Sequence, residues 1–126
     1  MYSMKETCVR TGRSYENLKF YCNEGLVPNV KRDAHNYRVF DDQDIKWIGS
    51  LNCLKNCGMS LAEMKVYLAL CREGTASIPR RKEILNEKRQ ELLASIAQLQ
   101  KSIDYIDWKQ QYYDNLLAGR PEDADA

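Results

Sequence analysis

The 126-residue sequence predicts a mostly α-helical protein with an N-terminal winged helix-turn-helix, two further helices and a long C-terminal coiled-coil helix. Three observations support this fold class. Two short helix patterns meet at a glycine turn, a basic segment suited to a hairpin follows, and apolar residues near the C-terminus recur every seven positions. Charged residues make up 29% of the chain, and no apolar run approaches the roughly 18 residues of a membrane span.

The first two helices are marked by the residues at their ends. Ser3 and Glu6 form a capping box that predicts a helix over residues 4–11. Ser14 caps a second helix that ends near Gly25. Two short helices joined by a tight turn are typical of a helix-turn-helix.

A hairpin and two more helices come next. Residues 26–40 carry Val, Tyr and Phe around a polar, basic tip, which predicts a small β-hairpin called the wing. Asp41 and Asp42 predict the start of a third helix that runs to about Asn56. A capping box over residues 60–63 then predicts a fourth helix.

A heptad pattern covers the last long segment. Its centre has Ile at the a positions and Leu at the d positions, which predicts a coiled-coil seam of about five heptads. Because the chain holds no second long helix, the most economical partner is another copy, and we expect a homodimer. The predicted dimerisation residues are Leu85, Leu92, Ile96, Leu99, Ile103, Ile106 and Tyr113.

The charge distribution and the wing favour a DNA-binding function. Residues 1–40 hold a net charge of +3, whereas the whole chain has only +1. The first turn of the second helix is placed for the major groove, and the remaining candidates are placed for phosphates. The predicted DNA-binding residues are Ser14, Tyr15, Asn17, Lys19, Tyr21, Lys31, Arg32, Tyr37 and Arg38.

Some of these residues have a second interpretation. Leu18, Phe20 and Tyr21 can form the core of a small domain, and Lys31 and Arg32 can be ordinary solvated charges. The predicted organisation is a winged helix-turn-helix DNA-binding domain with connecting helices over residues 1–75, a dimerisation coiled coil over 78–117, and a disordered acidic tail over 118–126.

Three segments resemble one known family. Tyr2 to Ser14 follows the family's opening pattern, residues 18–26 follow its Leu-Arg-Tyr-Tyr-Glu-x-x-Gly-Leu, and residues 36–40 follow its Gly-Tyr-Arg-x-Tyr. With these segments the chain resembles the mercury-resistance-regulator (MerR) family, and because the following helices and the coiled coil match in order, the resemblance covers nearly its whole length. It departs from the family pattern at three positions, where Lys19, Cys22 and Asn36 replace Arg, Glu and Gly.

The resemblance implies a transcription regulator. In such a protein an antiparallel coiled coil holds two DNA-binding heads on a palindromic promoter. The active dimer bends and untwists an over-long promoter spacer, so that RNA polymerase engages both promoter elements. The expected partners are therefore double-stranded promoter DNA, a second copy of the chain and RNA polymerase, without a membrane.

Cysteine usage suggests a location and a trigger. Five cysteines without a visible secretory signal predict free thiols in a reducing, cytoplasmic compartment. A helical wheel places Cys53 and Cys57 off the apolar arc of the third helix. The segment around Cys53 resembles the aldehyde-responsive branch of the family, which implies that Cys53 is an electrophile sensor. The alternatives are a structural thiol and a regulator that senses a non-covalent ligand at the dimer interface.

Other function classes receive less support. No Cys or His follows Cys71, and the single histidine, His35, lies in the wing, so neither a metal site nor a cofactor is expected. One histidine without a spaced pair of acids or a glycine-rich phosphate loop argues against an enzyme. A coiled-coil interaction protein without DNA binding is the alternative from another class, and the basic N-terminal segment disfavours it.

Overall fold

The computed structural model describes residues 1–120 and confirms the predicted fold class. The chain begins with a short strand that the sequence did not predict, and a 3-10 turn at Gly74–Ser77 precedes the last helix. The elements are β1 (Tyr2–Ser3), α1 (Met4–Thr11), α2 (Tyr15–Asn23), β2 (Lys31–Arg32), β3 (Arg38–Phe40), α3 (Asp42–Asn56), α4 (Leu61–Arg72) and α5 (Ile78–Leu117).

The three strands form one small antiparallel sheet with the order β1-β3-β2. Strands β2 and β3 are the predicted wing hairpin, with Lys31 opposite Val39. Strand β1 adds to the other side of β3, with Tyr2 opposite Phe40. The N-terminus is held further by the Tyr2 hydroxyl, which donates a 2.6 Å hydrogen bond to Asp42 at the start of α3.

Side chains close the N-terminal ends of α1, α3 and α4 in the same way. The side chains of Ser3 and Ser60 each accept a hydrogen bond from the backbone N–H of the glutamate three residues later, Glu6 or Glu63. The carboxylate of that glutamate accepts a hydrogen bond from the backbone N–H of the serine in return. Asp41 and Asp44 form the same reciprocal pair at α3. Each cap is worth about 1 kcal/mol, so the sequence marks helix starts strongly.

The core lies where the helix-turn-helix, the wing and α3 meet. Leu18, Leu26, Phe40, Ile48 and Leu51 are almost completely buried there. The Trp47 ring nitrogen donates to the Leu26 backbone oxygen at 2.7 Å, which ties α3 to the segment that follows α2.

The chain divides into two compact units, Met1–Lys88 and the segment from Arg89 onward. The first unit includes the first three turns of α5, where Ile84 and Lys88 are buried. The Lys88 ammonium lies 2.7 Å from the Glu63 carboxylate at the start of α4. That contact holds the pKa of Glu63 below its ordinary value.

The second unit is the remainder of α5 and the short turn after it. None of the residues 89–120 is buried. Gly119, with φ of 76°, takes the left-handed conformation common after a helix end. Residues 121–126 of the predicted tail lie outside the described residues. Within residues 1–120, no helix is both long and apolar enough to cross a membrane.

Candidate nucleic-acid interface

The first turns of α2 present polar side chains outward. Ser14 caps the helix by accepting from the Asn17 backbone at 3.1 Å. Tyr15 is 56% exposed, Asn17 is half-buried and Lys19 is exposed. These four predicted residues therefore lie together at the N-terminal end of α2.

Tyr21 is placed differently from the other predicted DNA contacts. It is only 4% exposed, and like Leu18 it belongs to the core. Its ring lies 4.2 Å from the guanidinium carbon of Arg13. The structure thus gives Tyr21 a packing role, which was the second interpretation of the α2 aromatics.

Arg13 was not among the predicted site residues. It stands in the helix-turn-helix turn yet is only 7% exposed. One terminal nitrogen, Nη1, donates a hydrogen bond to the side-chain oxygen of Asn17. The spacing of four residues between Arg13 and Asn17 was the available sequence signal, although Arg13 itself precedes α2.

The wing tip is shaped by Asp33 and Asn36. The Asp33 carboxylate accepts from the backbone of His35 at 2.9 Å and of Tyr37 at 3.0 Å. Asn36 has a φ of 65°, the left-handed region that asparagine tolerates better than most residues. Arg32 donates to the Asn36 backbone oxygen at 2.9 Å. This turn leaves Tyr37 71% exposed.

Arg38 joins the wing to α2. Its guanidinium donates to the Asn23 side chain at 2.6 Å, near the end of α2. Sequence reasoning missed Asn23 because the two residues are distant in the chain. The contact places a cation beside both elements that are expected to touch DNA.

Lys31 is engaged within its own chain. Its ammonium lies 2.8 Å from Asp41 and 3.3 Å from Asp44. The hydrogen bond from Lys31, followed by the one from the Asp44 backbone, lowers the pKa of Asp41 to about 2. Since two carboxylates offset this charge, Lys31 offers less positive potential to DNA than Arg32 or Arg38.

A concave surface of about 430 Å³ brings four of the predicted residues together. It runs between the start of α1, the first turn of α2 and the wing. The predicted residues that line it are Tyr15, Arg32, Tyr37 and Arg38.

The five cysteines differ in exposure and in pKa. Burial raises the pKa of Cys8 and Cys22, which lowers their thiolate fraction. Cys57 and Cys71 are half-buried, whereas Cys53 is exposed on α3. Cys53 therefore lies off the core-facing side of α3, which Ile48, Leu51 and Leu54 occupy.

Cys53 lines a cleft of about 660 Å³ between α3 and α4. Trp47 and Leu54 contribute from α3, and Tyr67 and Cys71 contribute from α4. The cleft combines aromatic surface with two thiols. Among residues 1–120, no group of three or more His, Cys, Asp or Glu side chains is placed to hold a metal ion.

Comparisons with known proteins decide the family. Residues 2–71 match the family described as MerR HTH family regulatory protein, and residues 50–108 match the one described as MerR, DNA binding. The chain belongs to the MerR family. An uncharacterised HTH-type transcriptional regulator of Haemophilus influenzae is 33% identical over 117 residues, which are 93% of this chain and 87% of that protein.

Further relatives agree with this assignment. The HTH-type transcriptional regulator AdhR of Bacillus subtilis is 38% identical over 82 residues, which are 65% of this chain and 59% of AdhR. The crystal structure of HiNmlR, a MerR family regulator lacking the sensor domain, bound to promoter DNA, matches with a TM-score of 0.76 and 33% identity. That match covers 94% of this chain and 95% of HiNmlR.

A MerR family regulator structure from Listeria monocytogenes matches with a TM-score of 0.80 and 31% identity, covering 94% of this chain and 90% of that one. The protein is therefore a DNA-binding transcriptional regulator of the MerR family, as the sequence predicted, and these relatives are regulators rather than enzymes.

Proposed function

We propose that this MerR family protein acts as a cytoplasmic homodimer on a palindromic promoter, distorts the DNA there for RNA polymerase, and responds to electrophilic modification of Cys53. The single observation that carries the trigger is the exposed Cys53 thiol in the α3–α4 cleft.

The exposed seam of α5 supports the dimer. All seven predicted dimerisation residues, from Leu85 to Tyr113, are 40% to 64% exposed in the single chain. Covering that stripe removes apolar surface from water at about 25 cal/mol per Å². The α5 helix of a second copy carries the same heptad pattern, so its apolar stripe can pack against this one. In the family these helices pair antiparallel.

The arrangement of α2 and the wing supports contact with both the bases and the backbone of DNA. We assign Tyr15 and Asn17 to the major groove, and Lys19, Arg32, Tyr37 and Arg38 to phosphates. Ser14 contributes mainly by capping α2. Lys31, which is paired with two carboxylates, contributes less to DNA binding.

DNA distortion is proposed from the family resemblance. Bending and untwisting a promoter costs a few kcal/mol, and backbone contacts by the two heads offset that cost. The structure of HiNmlR with promoter DNA is consistent with heads of this fold binding a promoter.

The trigger is proposed as covalent addition. The Cys53 thiolate forms a sulfur–carbon bond to an aldehyde carbon, the π pair of the carbonyl moves to oxygen, and the oxygen takes a proton from water. The product is a hemithioacetal, and the step needs no oxidant. Because Cys53 is exposed, a small aldehyde reaches it without local unfolding, whereas Cys8 and Cys22 are disfavoured by their raised pKa.

In vitro transcription with and without a reactive aldehyde tests this proposal. We expect Cys53→Ser to dimerise and to bind the operator within about twofold of wild type, but to lose the transcriptional response, because a hydroxyl is far less nucleophilic than a thiolate. Cys57→Ser, one helical turn away, and Cys71→Ser, across the cleft, are the matched controls and should stay inducible.

Each alternative has its own outcome in that experiment. A fully inducible Cys53→Ser protein rejects the covalent trigger and points to a non-covalent ligand, for which the cleft with Trp47 and Tyr67 offers room. A wild-type protein without salt-dependent binding to promoter DNA would instead favour a coiled-coil interaction module.

A further inference from the structure

Arg13 occupies an unusual position for a charged residue. It lies in the turn before α2 with 7% of its surface exposed, and its guanidinium rests on the Tyr21 ring at 4.2 Å. Two of its nitrogens, Nε and Nη2, are buried without a hydrogen-bond partner. The stacking on Tyr21 therefore holds the guanidinium in place, and its remaining nitrogen, Nη1, reaches Asn17.

The chemistry of arginine determines how the Asn17 amide is oriented. A guanidinium only donates hydrogen bonds, so Arg13 must face the amide oxygen, Oδ1, and not the amide nitrogen. The Nδ2 group of Asn17 therefore points away from Arg13. Within residues 1–120 this group donates to no protein acceptor, and Asn17 is half-exposed in the first turn of α2.

We propose that Arg13 is a positioning residue that presents Asn17 to the operator as a hydrogen-bond donor, so that the base opposite Asn17 is read as guanine rather than adenine. This rests on the proposed placement of α2 in the major groove. An asparagine that reads adenine uses its oxygen for the N6 amino group and its nitrogen for N7. Here Arg13 occupies the oxygen, and the outward amino group suits the two acceptors of guanine, N7 and O6.

Arg13 acts in this scheme without touching DNA. Its Nε and Nη2 atoms are shielded from solvent by the same packing that places it over Tyr21. If Arg13 contributes only positive charge, its loss has a different effect on binding than if it orients Asn17. Loss of charge weakens binding to every sequence alike, whereas loss of orientation changes base preference at one position.

The two roles can be separated by measuring the affinity of the protein for a set of operators in which each position carries each of the four bases in turn. We expect wild type to prefer guanine over adenine at one position in each half-site by about tenfold. Arg13→Leu keeps much of the buried volume but frees the amide, so this preference should fall by about tenfold while the salt dependence of binding stays unchanged. Arg13→Lys keeps the charge without the planar stack and should lose the same preference.

Two Asn17 variants identify the base position and test the orientation directly. Asn17→Ala should remove the preference at the same position that Arg13→Leu affects. Asn17→Asp keeps an oxygen for Arg13 but turns an acceptor outward, so the preference should move to a base with an amino group, cytosine or adenine. This variant also tests the proposal if Arg13→Leu fails to fold, which its thermal unfolding curve reveals.

Three results would overturn the inference: an Arg13→Leu protein with the wild-type base profile, an Asn17→Ala protein with the wild-type base profile, or an Asn17→Asp protein that still prefers guanine. A wild-type protein with no salt-dependent operator binding would overturn the proposed function itself, so the two failures are distinguishable.

Discussion

The first unit, Met1–Lys88, and the rest of α5 differ in how much of their apolar surface is buried within a single chain. The first unit buries Leu18, Phe40 and Ile48 within one chain, and its side chains cap α1, α2, α3 and α4. The described part of the second unit buries nothing, although it carries large apolar side chains along its length. The first unit therefore has a buried core of its own, and the described second unit presents apolar surface that we propose a second copy covers.

Local contacts strengthen the second unit as a helix without covering its seam. Tyr105, Trp108 and Tyr112 form a ladder of rings whose centroids are 6.2 Å and 5.8 Å apart. These residues follow the helix spacing of three and four and lie off the a and d positions. The ladder favours the helical conformation, while the Leu and Ile stripe stays open for association.

The largest expected effect comes from a charge in that stripe. Leu99→Asp places a carboxylate at the centre of the seam, where its desolvation costs several kcal/mol. The protein should become monomeric and lose operator binding at the same time, while the first unit keeps its own unfolding transition. Light scattering and operator binding measure both effects.

Gln98→Asp is the matched control, because it adds the same charge one residue away from the seam. This variant should remain dimeric. A dimeric Leu99→Asp protein would show that the heptad stripe is not the association surface, and the contrast between the two units would lose its explanation.

A smaller effect is expected at the side of the first unit that we propose contacts DNA. Arg38→Ala should weaken binding to all sequences and reduce the slope of log affinity against log salt by about one phosphate contact. Asn23→Ala removes the same 2.6 Å hydrogen bond but keeps the cation, so its salt slope should match wild type. Equal slopes for Arg38→Ala and wild type would reject Arg38 as a phosphate contact.

The smallest expected effect is a pH dependence confined to the first unit. The pKa of Asp41 is about 2 in the folded chain and 3.8 ordinarily, because Lys31 donates to its carboxylate. A depressed folded pKa stabilises the fold above about pH 4, and this stabilisation disappears as the pH falls towards about 2. Asp41→Asn should therefore flatten the fall of Tm over that range.

Asp42→Asn is the control for that measurement, since Asp42 does not pair with Lys31. If Asp41→Asn and wild type lost Tm in parallel between about pH 4 and pH 2, the Lys31–Asp41 pair would contribute nothing to the stability of the first unit.

Much of the candidate site could be predicted because its signals are local or periodic. The exposure of Tyr15 at the start of α2 and of Tyr37 in the wing follows from positions that the caps and turns define. The pairing of Lys31 with Asp44 and of Arg38 with Asn23 could not be predicted, because those partners lie 13 and 15 residues apart. Arg13 was missed although its partner is four residues away, because its burial depends on how Tyr21 packs.

The sequence by itself determined where the helices begin and end and which stripe of α5 is apolar, because capping and heptad spacing act within a few residues of one element. Only the tertiary structure decided that Tyr2 and Ser3 form a third strand, that Lys88 joins the first unit through Glu63, and that Arg13 turns inward. These features depend on contacts between elements, and burial or pairing of a side chain is a property of the surface that packs against it.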